Sequence, residues 1–453
     1  MRLNKAALVL AVTIASLAPP SVATATTKPT NQYGMTFKEN AAGSTLWNLP
    51  PTQKTVTDDD ARRRMISAPA GRPYYAGQED QASRLPGGHV PPADPWTDPD
   101  TKECISKLDQ GNEIGFSLNR WVWCGYLKSY HYEISPQGAR LGWFEMNTLA
   151  VGYGREDGKR TFDVRFVPQK VVYGGTYKPT TKVKVGMECK PDIRGCKAEG
   201  AEAWRTTVEW ETSVGNWIPG HIESDAGAGI GDTKLGYPIY NFYTIFRDGS
   251  RKDAPQHWIR CDSATYFHAR PAACIVWDVS PRLVYAIYDK DGKPTGQHGV
   301  AKHIKDALDK PDDTWPRKLD GAKKIPGRYK QPTDTEPFPG LQRIPVNSQS
   351  YRAHRYETSL ACNRRPPYQD TGLPTPPTGD DQCDEYPFAA TKQGSANIYW
   401  DFSVRAVNGK QNGSAGSVLS NYYLWDRQLH VQTMDGQPAD FDGYWVDILD
   451  RQP

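Results

Sequence analysis

The chain has 453 residues, 38% hydrophobic and 24% charged, and its 55 basic residues stand against 52 acidic ones for a formal charge of +3. That balance excludes a strongly basic nucleic-acid coat and an acidic solvating tail, yet leaves room for a local basic groove, because recognition depends on where charges sit. The length suggests two or three domains, and 40 Gly and 37 Pro beside 14 Trp and 24 Tyr point to short strands and many turns.

Residues 1–25 read as a secretory signal peptide. Arg2 and Lys5 form a positive start, Ala6 to Ala18 an apolar run, and Ser21-Val22-Ala23 or Ala23-Thr24-Ala25 a small-residue cleavage site. The apolar run is too short for a membrane anchor, so a secreted, extracellular protein without membrane association is expected. Residues 26–100 are rich in Pro, Gly, Thr and short charged runs, as in Leu49-Pro50-Pro51 and Pro91 to Trp96. They read as a poorly ordered leader or pro-segment.

Residues 101–289 change texture. Trp121-Val122-Trp123-Cys124, Thr161 to Val167, Thr181 to Val185 and Trp204 to Trp210 alternate at period two, separated by turn-formers such as Arg247-Asp248-Gly249-Ser250. This predicts an antiparallel β-rich, sandwich-like module. Its abundant Trp and Tyr are core in most such modules, although exposed ones could stack bases or sugars. Residues 290–453 form the remaining domain. The spacing of Val300, Ile304, Ala307 and Leu308 predicts a short amphipathic helix stopped at Pro311, with His303 on its polar flank in a capping, surface or site-facing role. A Pro- and Lys-rich stretch from Pro311 to Pro345 reads as a surface insertion. Ile398 to Val407 reads as a strand, followed by a turn at Asn408-Gly409 and a helix beginning near Ser414.

Eight cysteines, an even number, fit an oxidising compartment. They allow on the order of a hundred pairings. Neighbour pairing is expected, Cys104 with Cys124, Cys189 with Cys196, Cys261 with Cys274 and Cys362 with Cys383, since each pair flanks a short segment. No Cys-x2-Cys knuckle supports zinc.

Polar residues gather after Arg355. Phosphodiester hydrolysis needs a base, a hard cation and a donor for phosphate. Asp384 or Glu385 could supply the base, Asn412 a metal oxygen, and Arg405 a phosphate fork. Acidic residues in a solvated loop, a helix-capping Asn412 and a surface Arg405 would give the same pattern. Arg352, Arg355, Arg364 and Arg365 form a basic run around His354 that suits phosphate tracking.

The run Cys383-Asp384-Glu385-Tyr386-Pro387-Phe388-Ala389 resembles the signature of the secreted bacterial deoxyribonuclease NucA/NucB family. Ser403 to Val407 followed by Gln411 to Asn421 resembles that family's next strand, turn and helix, and His303 to Ala307 its early helix. The resemblance implies an α+β chain in which the β-rich module precedes a small nuclease domain of the ββα-metal type. It implies an endonuclease hydrolysing DNA with little sequence preference, using one divalent ion, Mg2+ or Mn2+. By the same resemblance Asp384 is the base, Asn412 and Glu385 are metal ligands, and Arg405 contacts the phosphate. Arg355, Gln411 and Asn421 are candidate substrate contacts, and the Cys362–Cys383 bridge would staple the loop delivering Asp384. The partners implied are DNA, with RNA left open, and, were the enzyme a toxin, a cognate inhibitor protein. A rival reading makes the chain a secreted carbohydrate- or protein-binding β-module with an inactive nuclease-like C-terminal domain.

Overall fold

The computed structural model describes residues 36–39, 45–48, 93–108, 115–329 and 340–450, less short gaps at 156, 191–195, 201, 226–228, 230–231, 237, 269, 278–280, 347, 398, 435–436 and 441. The signal peptide and most of the leader expected at 26–100 lie outside the described residues. Within that leader, β1 (Thr36–Glu39) and β2 (Thr45–Asn48) pair as an antiparallel hairpin.

The period-two segments become two stacked sheets. One is built on β3 (Val122–Ile134), β4 (Arg140–Gly154), β5 (Thr161–Gly175) and β7 (Ile218–Ser224). The other is built on β6 (Lys182–Lys190), β8 (Ile239–Ile245) with β9 (Arg251–Asp253) at its side, β10 (His257–Asp262) and β11 (Ala273–Val276). All these ladders are antiparallel. Alternation decides the layering. In β3, Leu127 and Ser129 are buried while Lys128, Tyr130 and Tyr132 are exposed. The inward rows, among them Trp123, Phe144, Phe162 and Phe166 from one sheet and Val183, Met187, Phe242 and Ile259 from the other, make one apolar core. The sandwich-like β-rich region thus appears as the alternation suggested.

The chain then leaves the sandwich through β12 (Arg282–Ala286), which runs parallel to the last strand, β16 (Gly443–Leu449); β13 (Leu341–Gln342) pairs antiparallel on that strand's other side. Three helices follow in the order α1 (His298–Asp309), α2 (Gln349–Cys362) and α3 (Gly409–Trp425) around a hairpin of β14 (Asp381–Tyr386) and β15 (Ser403–Asn408). Helices α1 and α3 share a core with the Tyr386 and Val407 face of the hairpin. Helix α2 packs with Val404 and Ala406 on the other face. The molecule is therefore α+β, with few helices and a β-rich antiparallel N-terminal region.

Three local expectations change. The strand begins at Ser403, not Ile398, and Trp400 ahead of it has φ of 54°. Helix α3 begins directly at Gly409, with Asn408 accepting from the Lys410 N–H at 3.1 Å, so Asn412 lies in its first turn. The stretch after Pro311 is no loose insertion over its described part. Trp315 accepts a 2.6 Å bond from the Val404 amide, and buried Lys323 donates to Thr314 at 3.0 and 3.1 Å. Apolar anchors at Ile325 and Tyr329 give the segment the burial that its Pro and Lys content conceals.

The sandwich and the C-terminal region meet through six buried charges. Arg120 Nη2 and Arg260 Nη1 each reach Asp442 at 2.7 Å, Arg427 Nη2 reaches Asp262 at 2.7 Å, and Arg120 Nε lies 3.6 Å from Asp426. Backbone bonds reinforce the joint, from Arg260 Nη2 to the Arg427 carbonyl at 2.9 Å and from Trp121 Nε1 to the Trp425 carbonyl at 2.7 Å. Arginine suits such a joint because its fork satisfies several acceptors at once.

Candidate active site

The ββα stretch of β14, β15 and α3 carries every residue singled out after position 380. Adjacent strand residues point to opposite faces, and this separates the two carboxylates of the Asp-Glu motif. Asp384 faces α1. Glu385 faces α2.

On the α1 side, His303 is fully buried. Its Nδ1 lies 2.6 Å from Asp384 Oδ2 and its Nε2 lies 2.7 Å from Ser403 Oγ. Burial holds this imidazole below the ordinary histidine range, against the opposing pull of Asp384. A neutral ring between those partners donates from Nδ1–H to the carboxylate and accepts the Ser403 hydroxyl at Nε2. The expected polar-flank histidine is therefore a core residue. Its place in the stripe Val300, His303, Ile304, Ala307 is the signal that could have shown it. Arg405, opposite Asp384 in register, donates from Nη2 to Asp306 at 2.8 Å.

Gln411 serves α1 directly. Its Oε1 accepts the Gly299 N–H at 2.7 Å, satisfying one of the helix's unpaired N-terminal donors. A Cβ at position 299 would sit 2.5 Å from that oxygen, so a larger residue there would push the Gln411 amide away from the helix start. Asn412 donates from Nδ2 to Gln382 Oε1 at 3.2 Å. Asn421 lies nine residues further along α3, about 13 Å away at 1.5 Å per residue, and is not brought to the others.

On the α2 side, Arg355 is half exposed and gives one nitrogen, Nη1, to both oxygens of Glu385 at 3.0 Å each. Its Nε and Nη2 have no hydrogen-bond partner among the described residues. The Glu385 carboxylate is 12% exposed. Burial pushes its pKa up to about 7, with Asp384 adding to the rise and Arg355 opposing it. Beside this pair a groove of about 450 Å³ is lined by Arg355, Thr358, Ser359, Asp381, Gln382 and Asn412, with the Cys362–Cys383 disulfide in its wall. That bridge ties α2, which carries Arg355, to the strand carrying Glu385. The other three disulfides also join sequence neighbours, Cys104 to Cys124, Cys189 to Cys196 and Cys261 to Cys274.

The arrangement does not fit a divalent ion held by protein alone. Asp384 is engaged by His303, Glu385 by Arg355, Gln411 by α1, and the Asn412 amide keeps one oxygen open. Among the described residues no three His, Cys, Asp or Glu side chains converge. What the geometry can do is take a proton at Glu385 and present guanidinium donors to an anion in the groove. Arg355 and Glu385 pair across thirty residues, a separation that leaves no trace in the spacing of the sequence.

No curated protein and no solved structure matches the chain. The family comparison covers a part of it that starts after α1 and includes Arg355, Asp384, Glu385, Arg405, Gln411, Asn412 and Asn421. Residues 341–429, within the C-terminal region, match the model of the family described as Deoxyribonuclease NucA/NucB.

Proposed function

We propose that the protein is a secreted endonuclease that hydrolyses DNA phosphodiesters with little sequence preference, and that Glu385 with Arg355 carries the chemistry. The observation that supports this reading is the bond from Arg355, which lines an open groove, to the Glu385 carboxylate behind it, inside the region matched to the deoxyribonuclease family. A carboxylate whose pKa lies near 7 is suited to general-base work at neutral pH. In the proposed step Glu385 takes a proton from water as the water oxygen attacks phosphorus. The leaving oxygen is protonated from solvent. As Glu385 becomes neutral its hold on Arg355 weakens, and the guanidinium can turn its free nitrogens to the phosphate oxygens. Asp384 contributes by position and charge: held by His303, which Ser403 holds in turn, it raises the affinity of Glu385 for a proton.

Secretion is supported by four disulfides, and no helix among the described residues is long and apolar enough to cross a membrane. The deoxyribonuclease match speaks for an enzyme over a purely binding chain with an inert C-terminal region. The test is digestion of supercoiled and linear DNA by the intact, disulfide-bonded protein, with Mg2+, Mn2+ or EDTA present. Cleavage is expected, with EDTA testing the divalent-ion requirement that the resemblance implies. Glu385→Gln should lose more activity than Asp384→Asn. The reverse order would return the base to Asp384, and uncut DNA under every condition would refute the nuclease reading.

A further inference from the structure

The outward face of the β3–β4–β5 ribbon is neither plainly polar nor buried. Its rows, read across the strands, are Lys128–Asn147–Lys170, Tyr130–Glu145–Val172 and Tyr132–Trp143–Gly174. Tyr130 is 51% exposed and Tyr132 37%, and their ring centroids lie 6.1 Å apart. Trp143 lies over Gly174, where a Cβ would collide with the indole; the glycine lets the ring lie against the sheet. Tyr132 donates its hydroxyl to Glu145, which fixes the ring's direction. Each tyrosine also has a cation at its ring: Lys252, from β9, lies 3.9 Å from the Tyr130 centroid and Arg140 lies 4.7 Å from that of Tyr132. Among the described residues of these rows and their edge, the face carries Lys128, Arg140 and Lys170 beside Glu145, a carboxylate already engaged by Tyr132.

We propose that this face is a binding platform for single-stranded DNA. Flat aromatic rings interleaved with cations match the two repeating features of an unpaired strand. Bases stack on the rings and phosphates meet the Lys and Arg side chains. In a duplex the bases are already stacked on one another, so the rings would gain nothing from it. A neutral polysaccharide could use the aromatic rings but would gain nothing from the positive charge of Lys128 and Lys170 in the neighbouring row. The choice of DNA as the polyanion rests on the nuclease reading. The platform itself lies on the N-terminal sandwich, outside the region matched to the deoxyribonuclease family.

The test separates binding from cleavage. Full-length Glu385→Gln protein in EDTA is titrated into fluorescein-labelled oligo-dT, its duplex counterpart and a labelled neutral glucan, followed by anisotropy. Tight binding of oligo-dT is expected, weakened about tenfold or more by Tyr130→Ala with Tyr132→Ala, since stacking at each ring contributes on that order. Lys128→Gln with Lys170→Gln should flatten the salt dependence. Unchanged melting temperatures show that these exposed substitutions leave the fold intact. Equal oligo-dT binding by the tyrosine variant and its parent overturns the proposal, as does preference for the duplex or for the glucan. Oligo-dT bound at the platform by a protein that never cuts DNA would sink the nuclease reading and leave the platform standing. Cleavage without platform binding would do the opposite.

Discussion

Replacing Asp262 by asparagine would leave the buried joint with three guanidinium groups, Arg120, Arg260 and Arg427, facing two carboxylates, Asp426 and Asp442. In the native joint Arg427 Nε reaches Asp262 at 2.9 and 3.1 Å and Nη2 at 2.7 Å, while Arg260 Nη2 lies 3.3 Å away. Both Arg427 and Asp262 have side chains with no solvent exposure. At such separations, with an effective dielectric of about 20, one pair interaction is worth about 4 kcal/mol. Removing one partner of a buried pair costs about 3–5 kcal/mol. At about 2–4 °C per kcal/mol for domains of moderate size, melting should fall by about 6 °C or more. Scanning calorimetry at neutral pH is the assay, and because the joint spans the sandwich and the C-terminal region, one transition should move as a whole. Asp262→Leu combined with Arg427→Met should recover part of the loss, since apolar replacements of a complete buried pair are often tolerated. A melting temperature within about 2 °C of the parent, or two transitions of which one shifts, would refute the reasoning.

Glu385→Gln should lower kcat by about 10²–10⁴-fold while leaving the fold intact, and the parent's activity should rise with pH through about 7. The same group binds its proton more tightly folded than unfolded, so its contribution to stability is full below the ordinary glutamate range and lost as pH rises through about 7. Urea midpoints at pH 5 and pH 8 should therefore differ less in Glu385→Gln than in the parent, and an equal difference would contradict the assignment. His303→Leu leaves Asp384 and Ser403 without their buried partner and should cost about 2–4 kcal/mol in urea unfolding; an unchanged midpoint would show that the Asp384–His303–Ser403 chain does not form. Replacing both Cys362 and Cys383 by alanine opens a loop of separation 21 and should cost about 3 kcal/mol. That variant should also lose DNA cleavage through the loosened Arg355–Glu385 geometry, as gel digestion would show.

Much of the sandwich was legible because period-two alternation is local and each strand repeats it. The region matched to the deoxyribonuclease family was legible in a different way, through a short run of residues that resembles a known signature. What neither could supply is pairing across distance. Arg427 and Asp262 are 165 residues apart, and Arg120 and Asp442 are 322 apart. No spacing announces such partners; only the closed fold selects them. The separation of Asp384 from Glu385 was within reach of the sequence, since neighbours on a strand must face opposite ways. Assigning both carboxylates to one site passed over it. His303 was misjudged for a related reason, because a polar side chain in an apolar stripe reads as exposed until its buried partners are known.

The six-charge joint bears on how this chain can be handled and inherited. Parting the sandwich from the nuclease region would bring Arg120, Arg260, Arg427, Asp262, Asp426 and Asp442 into water together, so the seam should open only with the fold at large and give a protease little foothold. A shortened chain starting at residue 290 would keep Asp426, Arg427 and Asp442 and forfeit Arg120, Arg260 and Asp262, along with β12, the strand beside β16. The seam in sequence texture near residue 289 is thus not a place to cut, and a C-terminal fragment made by trimming there would start life with an unmatched interior.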